Sequence, residues 1–356
     1  MKNSFSTACA TLLLLGSNFL NVLPACAQST KPDSAVAKIA LFQGENRLQK
    51  LIEGAKKEGE LSVYGAMPTR DLKALVDAFS KKYGIKATIW RSSSENVVQR
   101  IVTEARSGRF TVDFLQNNAP AMAALQREKL LQQVHSPYHG DLIPYAVPAH
   151  KDWVGLYVLA FVQAYNTNMV KKDELPQSFQ DLLDPKWNGR LGIETDDPHW
   201  FAYVLQSLGQ EKGIKLFKDI VATNGMSVRK GHTLLANLVA SGEIPLSLTV
   251  YSYKAAQLKR NGAPVDWIVI PPAIAQFTSI GMLKKAPHPH AAMLFYDFML
   301  SDGQKILFKH NYVPTSTKID TPLNKVPMTF IDPVHFLDMN NKWIQTFNDI
   351  FVARKK

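Results

Sequence analysis

LSVYGAMPTRDLKALVDAFSKKYGIKATIW, residues 61–90, is the stretch that sets the fold class. The apolar and β-branched residues at its two ends predict short strands at 61–64 and 87–90. Between them, four apolar residues recur at the spacing of one helix face: Leu72, Leu75, Val76 and Phe79. We therefore predict an amphipathic helix over 71–83. Two strands joined by a crossover helix form a βαβ unit, which predicts an α/β fold with a mostly parallel sheet.

The alternation of strands and helices continues beyond this unit. Apolar spacing predicts a helix over 97–105, a third strand at 112–115 and a third helix over 121–130. The apolar run at 154–165 is too irregular for an amphipathic helix, so we predict a buried strand there. Strand and helix signals alternate throughout 154–270, which predicts a second α/β unit.

The first 27 residues have the layout of a secretory signal peptide. Lys2 supplies a positive start, 8–23 is mostly apolar, and Ala25-Cys26-Ala27 offers small residues for cleavage. We expect cleavage after Ala27 and a mature protein in the periplasm. Residues 23–26 also resemble a lipobox, so a lipoprotein anchored through Cys26 is the alternative.

Composition limits the partners of the exported chain. The two cysteines, Cys9 and Cys26, lie in the predicted signal peptide, so the mature chain has neither a disulfide nor a catalytic thiol. The net charge of +11 is dispersed, with short pairs such as Lys171-Lys172 and Lys284-Lys285. No basic run or nucleic-acid motif is present, so we expect no nucleic-acid partner. The charge fits a solvated basic surface or, second, small anionic ligands.

Length and motifs indicate a two-domain protein that is not an enzyme. Removing the 27 residues of the signal peptide from 356 leaves 329, above the roughly 250–300 at which single cores stop growing. The sequence has no Gly-x-Ser-x-Gly elbow, no P-loop and no His-Glu-x-x-His zinc helix. We predict no cofactor and no resident metal. A Ser/His/Asp triad assembled from distant positions stays open, so a hydrolase is a remaining alternative.

The first candidate binding residues follow the predicted strand at 87–90. Arg91 is followed by three serines, and Ser92 with Glu95 matches a capping box in which Ser92 is the N-cap. A helix N-terminus with hydroxyls and a neighbouring arginine is also an anion site. Ligands of open α/β sheets bind at the carboxyl ends of parallel strands. The same edge is expected to hold four more residues of the loops after the neighbouring strands: Thr69, Arg70, Asn117 and Asn118.

Candidates in the second α/β unit also follow predicted strands. Tyr251 and Tyr253 come after the strand at 246–250, and Trp200 follows the strand at 191–193. Isolated aromatic residues are more often packing residues than ligand contacts. Their common place at strand ends is the reason we expect them in the site.

Several stretches together resemble the periplasmic solute-binding proteins of bacterial ABC importers. The similar subgroup is extracellular solute-binding family 1, which holds ferric-ion, thiamine and phosphonate binders. These stretches carry the resemblance: residues 54–59 (GAKKEG), 63–66 (VYGA), 182–189 (LLDPKWNG), 261–265 (NGAPV) with Trp267, 286–292 (APHPHAA) and 298–301 (FMLS).

The resemblance implies a two-lobed periplasmic-binding-protein type II fold with two crossover strands and the ligand in the cleft between the lobes. The crossings fall near 150–165 and 268–280. The implied division is a signal peptide (1–27), the first part of lobe 1 (28–150), lobe 2 (151–270) and a return to lobe 1 with C-terminal helices (271–356). Closure around a small-molecule solute would present a monomeric protein to a membrane permease.

The resemblance does not identify the solute. Ferric-binding members of the family carry two adjacent tyrosines, whereas Ser252 separates Tyr251 from Tyr253 here. If 246–253 were extended, both rings would share one face. We expect an anionic organic solute bound by Arg91 and the three serines, with Trp200 and the two tyrosines closing over it. A ferric ion held by the tyrosines is the alternative, and a sensor subunit is a further one.

Overall fold

The computed structural model of the protein describes residues 34–321, 323 and 326–352. The predicted signal peptide and its cleavage site lie outside the described residues. The helices in the described part are α1 Ala35–Ala40, α2 Arg47–Glu58, α3 Thr69–Tyr83, α4 Ser94–Arg106, α5 Ala119–Arg127, α6 Pro198–Leu208, α7 Gln210–Asn224, α8 His232–Ser241, α9 Ser252–Arg260, α10 Pro289–Leu300, α11 Asp302–Lys309 and α12 Pro333–Phe347. The strands are β1 Glu60–Gly65, β2 Lys86–Arg91, β3 Phe114–Asn118, β4 Leu131–Gln132, β5 Val154–Asn166, β6 Leu191–Glu194, β7 Ser227–Arg229, β8 Leu246–Ser247, β9 Val250–Tyr251, β10 Val265–Ile268, β11 Ile274–Leu283, β12 Val313–Pro314 and β13 Thr329–Phe330.

The βαβ unit predicted from residues 61–90 is confirmed. β1 and β2 are parallel, with Glu60 opposite Lys86 and Gly65 opposite Arg91, and β3 pairs with the other side of β1 in the same direction. α3 connects them and buries the four apolar residues of its predicted face. Because all three strands point the same way, their carboxyl ends meet at one edge of the sheet.

Two long strands connect the first half of the sheet to the second. The strand order is β2-β1-β3-β11-β5-β8-β6-β7. β5 is buried along its whole length, as predicted for the apolar run. Its first residues pair with β11 and β12, and its last residues pair with β10 and β8. β11 is antiparallel to both β3 and β5. These two strands are the crossovers, at 154–166 and 274–283.

The apolar interior is divided between the two halves. Phe79, Phe114 and Phe295 belong to the main core of the first lobe, where their rings meet edge to face. Phe179 and Phe217 belong to a separate core in the second lobe. A two-lobed architecture follows, because each sheet half is packed around its own set of buried side chains.

Some predicted elements differ from the structure. The connection between β4 and β5 contains short 3₁₀ helices at Pro137–Asp141 and Pro144–Ala146, which no apolar spacing in the sequence predicts. The predicted strand at 246–250 is divided into β8 and β9. The last helix, α12, begins at Pro333 and is followed by a π-helical turn at Asn348–Val352. Within the described ranges, no helix combines the length and the apolar character that crossing a membrane requires.

Candidate functional site

The first-lobe candidates lie together at the carboxyl edge of the sheet. Gly65 of β1 is level with Arg91 of β2 and with Gln116 of β3. Asn117 Nδ2 donates a hydrogen bond to the Ser94 carbonyl at 3.1 Å, which joins the end of β3 to the start of α4. The Asn118 side chain accepts from the Ala121 amide at 2.9 Å and caps α5.

Arg91 is held against the loop that follows β1. Its Nη2 donates to the Ala66 carbonyl at 3.1 Å and its Nε donates to the Met67 carbonyl at 3.3 Å. Gln116 also holds this loop, because its Oε1 accepts hydrogen bonds from the amides of Ala66 and Met67. Two backbone carbonyls therefore hold the guanidinium, which has no carboxylate partner among the described residues and remains exposed.

The capping box predicted at Ser92 is wrong by one residue. The N-cap of α4 is Ser93, whose hydroxyl accepts from the Asn96 amide at 3.3 Å, and Glu95 is the second residue of the helix. Ser92 extends the strand instead: its amide donates to the Gly65 carbonyl at 3.1 Å, as the next step of the ladder with β1. Its hydroxyl accepts from the Asn96 side chain.

Three cations lie on the first-lobe side of the site: Arg70, Arg91 and Lys254. Thr69 and Arg70 begin α3 and are exposed, and Lys254 on α9 of the second lobe is 9% exposed. Burial lowers the pKa of Lys254; Asp71 opposes this shift, while the charges of Arg70 and Arg91 add to it. Lys254 is thus close enough to both arginines to be repelled by them. An anionic group bound between them would relieve that repulsion.

A second group of charges follows β6 and is acidic. Glu194 is 1% exposed and Asp197 is fully buried. Glu194 accepts from the Gly231 amide at 2.6 Å and from the Asp196 amide at 2.5 Å. Burial and the charge of Asp197 raise the pKa of Glu194 to about 7. Ligand atoms of Glu194, Asp197 and His232 all lie within 4.8 Å of one another.

Asp197 lacks the hydrogen bonds that a buried carboxylate normally has. Within the described part of the chain, neither of its carboxylate oxygens has a hydrogen-bond partner. The His232 Nε2 lies 3.3 Å from Asp197 Oδ1, and His199 Nε2 lies 3.9 Å from the same oxygen. Burial alone would lower the pKa of His232. The negative charges of Asp197 and Glu194 have the larger effect, so the pKa of His232 is raised. Oδ1 of Asp197 thus faces an imidazole, whereas Oδ2 has no partner among the described residues. A buried acceptor atom without a partner points to a ligand that supplies a hydrogen-bond donor or a cation.

Tyr251 adjoins the acidic group. Its ring lies 3.8 Å from the ring of His232, measured between centroids. Gln276 of β11 donates to the Tyr251 hydroxyl at 3.1 Å and lies 3.1 Å from His199 Nε2. A side chain of a crossover strand therefore touches two residues of the second lobe. Burial, with the charges of Asp197 and Glu194, raises the pKa of Tyr251 well above 10.

Tyr251 and Tyr253 do not share one extended segment, so the condition under which their rings would share a strand face is not met. α9 begins at Ser252, so Tyr253 is helical. The two rings are nevertheless stacked, with centroids 6.2 Å apart and planes 15° apart. Tyr253 packs on Tyr312 at 4.3 Å, and the Tyr312 hydroxyl donates to Asp71 at 2.7 Å. Tyr253 therefore joins the second lobe to the core of the first.

Trp200 does not line the site. It is 1% exposed and packs edge to face on Phe179 and Phe217 in the core of the second lobe. The prediction failed because α6 buries residues all around its first two turns. His199, which precedes Trp200 in α6, is the residue of that helix that contacts the acidic group. Burial lowers the pKa of His199 to about 4, although Asp197 opposes that shift.

Sequence reasoning missed Asp197, His199, Lys254 and Gln276. Asp197 follows Glu194 at the end of a predicted strand, so the same strand-end rule would have included it. Lys254 follows Tyr253 directly. Gln276 lies inside an apolar run, and no local signal distinguishes it from the residues around it.

The chain matches the family of bacterial extracellular solute-binding proteins over residues 114–340. That match covers more than half of the chain, so the protein belongs to this family. Membership confirms the expected solute-binding component of an importer, and with it the expectation that the protein is not an enzyme.

Individual relatives extend the likeness over most of the chain. The Fe(3+)-binding periplasmic protein of Serratia marcescens is 24% identical over 311 residues, which cover 84% of this chain and 91% of that protein. Iron-bound HitA from Pseudomonas aeruginosa has a TM-score of 0.71 and 23% identity, covering 82% of this chain and 99% of that one. AfuA from Actinobacillus pleuropneumoniae with bound fructose-6-phosphate has a TM-score of 0.72 and 22% identity, covering 83% and 99%. These structures confirm the two-lobed fold.

Proposed function

We propose that this protein is the periplasmic cargo-binding component of an ABC importer and that its cargo is a small organic anion with hydroxyl or ammonium groups at its other end. The cargo would lie in the cleft between the lobes. Closure would present it to a membrane permease. The predicted lobe boundaries at 28–150, 151–270 and 271–356, and the monomeric state, are part of the same proposal.

The separation of charge across the site carries this proposal. On one side, burial lowers the pKa of Lys254, and the charges of Arg70 and Arg91 lower it further. Glu194 and Asp197 are buried on the other side. A molecule with an anionic group at one end and hydrogen-bond donors at the other satisfies both sides at once. The backbone amides and hydroxyls at the start of α4 add donors for the anion.

Both lobes contribute to this arrangement, which favours a mechanism of closure. Glu95 at the start of α4 acts electrostatically on Asp196 and on His199 of the second lobe. A cargo that contacts both lobes binds the closed form more tightly than the open form. That difference in affinity is what shifts the population towards closure. The crossover strands β5 and β11 are the connections about which a hinge motion would occur.

A thermal-shift screen tests the proposed class of cargo. We expect one or a few sugar phosphates, amino-phosphonates or hydroxy-dicarboxylates to raise the Tm by several degrees, since a ligand that binds only the native state stabilises it. Inorganic phosphate should give a much smaller shift, because it cannot reach Asp197. The same screen on Arg91→Ala should lose most of the shift. A screen in which no organic anion stabilises the protein would contradict the proposal.

A ferric ion is the second candidate, because a specific cluster favours it. Two carboxylates and the His232 imidazole lie within 4.8 Å of one another, and the Tyr251 phenol lies beside them. Oxygen and imidazole ligands suit iron. The names of the Serratia marcescens relative and of iron-bound HitA also refer to iron.

The two candidates give different signals on iron loading. A phenolate bound to Fe(III) would colour the protein, and Tyr251→Phe would remove the colour. Our proposal expects a colourless protein whose Tm responds to an organic anion in the absence of iron. Colour together with stabilisation by iron alone would select the ferric candidate.

A further inference from the structure

A pocket lies at the opposite end of the first lobe from the candidate site. It is enclosed by the end of α4, the segment that follows it, the turn after α5 and the end of β11, and its volume is about 280 Å³. α4 begins at the candidate site with Ser94, and its 13 residues extend roughly 20 Å at about 1.5 Å per residue. The pocket is therefore a separate place on the molecule.

The interior of this pocket is apolar. Six apolar side chains line it: Ile101, Ala105, Phe110, Val112, Leu130 and Leu283. Ligand pockets usually have volumes of about 300–1,000 Å³, so this one suits a short acyl chain or a single ring. Its one acidic residue, Glu104, is already bonded to Arg100, Tyr64 and Thr111.

The rim of the pocket carries four exposed cations. They are Arg109, Lys129, Lys284 and Lys285. Across the residues that the structure describes, none of the four forms an ion pair with a carboxylate. Lys285 Nζ lies 4.5 Å from the centre of the Phe110 ring. Lys129 has a φ of 58°, a left-handed conformation that is uncommon for lysine.

We propose that this pocket binds a small amphiphilic anion, an acyl chain or an aromatic ring that carries one carboxylate or phosphate group. The apolar part would displace water from the six apolar side chains, and the anionic group would remain at the rim among the four cations. A neutral apolar molecule would leave those cations uncompensated, and a polar anion such as phosphate would not fill the interior. The Lys284-Lys285 pair thereby acquires a role that cargo binding in the cleft does not give it.

Calorimetric titration of the full mature protein with decanoate tests the proposal. We expect saturable binding that weakens at least about tenfold in Lys284→Glu/Lys285→Glu, because charge reversal turns attraction into repulsion. Ala105→Phe should abolish binding by filling the interior while leaving the cations in place. Lys171→Glu/Lys172→Glu changes the net charge equally at another exposed pair and should bind as the unmodified protein does.

The source of the anion is distinguished by a second arm with vesicles that contain phosphatidylglycerol. Co-sedimentation that is lost in Ala105→Phe and in the Lys284/Lys285 variant identifies a membrane lipid, whereas decanoate binding without co-sedimentation identifies a soluble molecule. Each result supports the site. Absence of decanoate binding, or binding that is unchanged in the Lys284/Lys285 variant, would overturn the proposal. The lysine variant alters only exposed side chains, so it decides the matter even if Ala105→Phe fails to fold.

Discussion

At the scale of single residues, the environment of Asp197 is the most informative feature. This carboxylate is fully buried, and among the described residues its two oxygens have no hydrogen-bond donor. The neighbouring Asp196 has a side chain that is 55% exposed. Two adjacent acidic residues of the sequence therefore have opposite roles: one faces solvent and the other faces the site.

Asp197→Asn should reduce cargo affinity at least about tenfold while leaving the protein folded. Asp197 pairs with His232 at 3.3 Å, but the imidazole can release its proton when the carboxylate is removed, so the Tm without cargo should change little. Thermal shift with the cargo found in the screen, measured beside unfolding without cargo, separates the two effects. Asp196→Asn is the matched control and should bind normally. Equal losses of affinity in both variants would argue against a specific role for Asp197.

His139 should make the stability of the first lobe depend on pH. It lies 3.0 Å from the Tyr296 hydroxyl, and burial lowers its pKa from 6.5 to about 4. The folded state therefore prefers neutral imidazole. The stabilisation is complete above about pH 6.5 and is lost as the pH falls towards 4, because the unfolded chain takes up the proton first.

We expect His139→Gln to flatten this part of the stability profile. The difference in unfolding free energy between the original protein and the variant should shrink by about 2 kcal/mol between pH 7 and pH 4. Urea unfolding at several pH values measures it. His335 is exposed, so His335→Gln should keep the original profile. A difference that does not change with pH would contradict the assignment.

At the scale of elements, the start of α4 shows how a one-residue shift alters a prediction. Ser92 and Ser93 both satisfy the sequence rule for an N-cap. The ladder of β2 with β1 continues through the Ser92 amide, which keeps Ser92 in extended backbone and moves the cap to Ser93. The sequence alone does not contain this competition, because it depends on where the neighbouring strand ends.

Ser93→Ala should cost about 1 kcal/mol of unfolding free energy, since the cap satisfies an otherwise unpaired amide. Ser92→Ala should lower the unfolding free energy by only a few tenths of a kcal/mol, because Ser92 does not cap the helix. Chemical denaturation of the two variants compares them directly. A larger cost at Ser92 than at Ser93 would restore the capping box that the sequence predicts.

α2 and α10 approach closely at Gly54. A Cβ built on Gly54 would lie 2.3 Å from the imidazole of His290. That ring is fixed by Glu58, which accepts from its Nδ1 at 2.7 Å and also from the Ala291 amide. Glycine therefore fits this place in the helix, although alanine has the higher intrinsic helix preference.

Gly54→Ala should destabilise the protein by about 1–3 kcal/mol despite its favourable helix propensity, because the added methyl group must displace the His290 ring. Thermal unfolding measures the change. Gly140→Ala is the control, as nothing lies within 4 Å of a Cβ at that position. A stabilised Gly54→Ala variant would show that the two helices can separate without cost.

The sequence predicts those helices and strands whose apolar residues recur at a regular spacing. The face of α3 and the buried strand β5 were predictable because their apolar residues are continuous or regularly spaced. Trp200 was misplaced because α6 is buried on more than one side, so no face of it is distinguished by pattern. Gln276 and the pairing of Tyr253 with Tyr312 depend on contacts between distant segments, and neither leaves a local trace in the sequence.

At the scale of the whole molecule, the separate cores of the two lobes and the two crossover strands explain how a single cargo can act on both lobes. Each lobe has its own packed interior, so the lobes can move as bodies while β5 and β11 remain connected. The family to which the chain belongs binds solutes. The cationic and acidic sides of the site then define the cargo that we propose.

Native mass spectrometry of the protein as purified is the most direct test of that cargo. We predict a species heavier than the mature chain by the mass of one small organic anion. That adduct should disappear on denaturation and should be depleted in Asp197→Asn but retained in Asp196→Asn. An added mass equal to one iron atom, or an adduct unaffected by Asp197→Asn, would contradict the proposal that an organic anion occupies the cleft between the cationic and acidic sides.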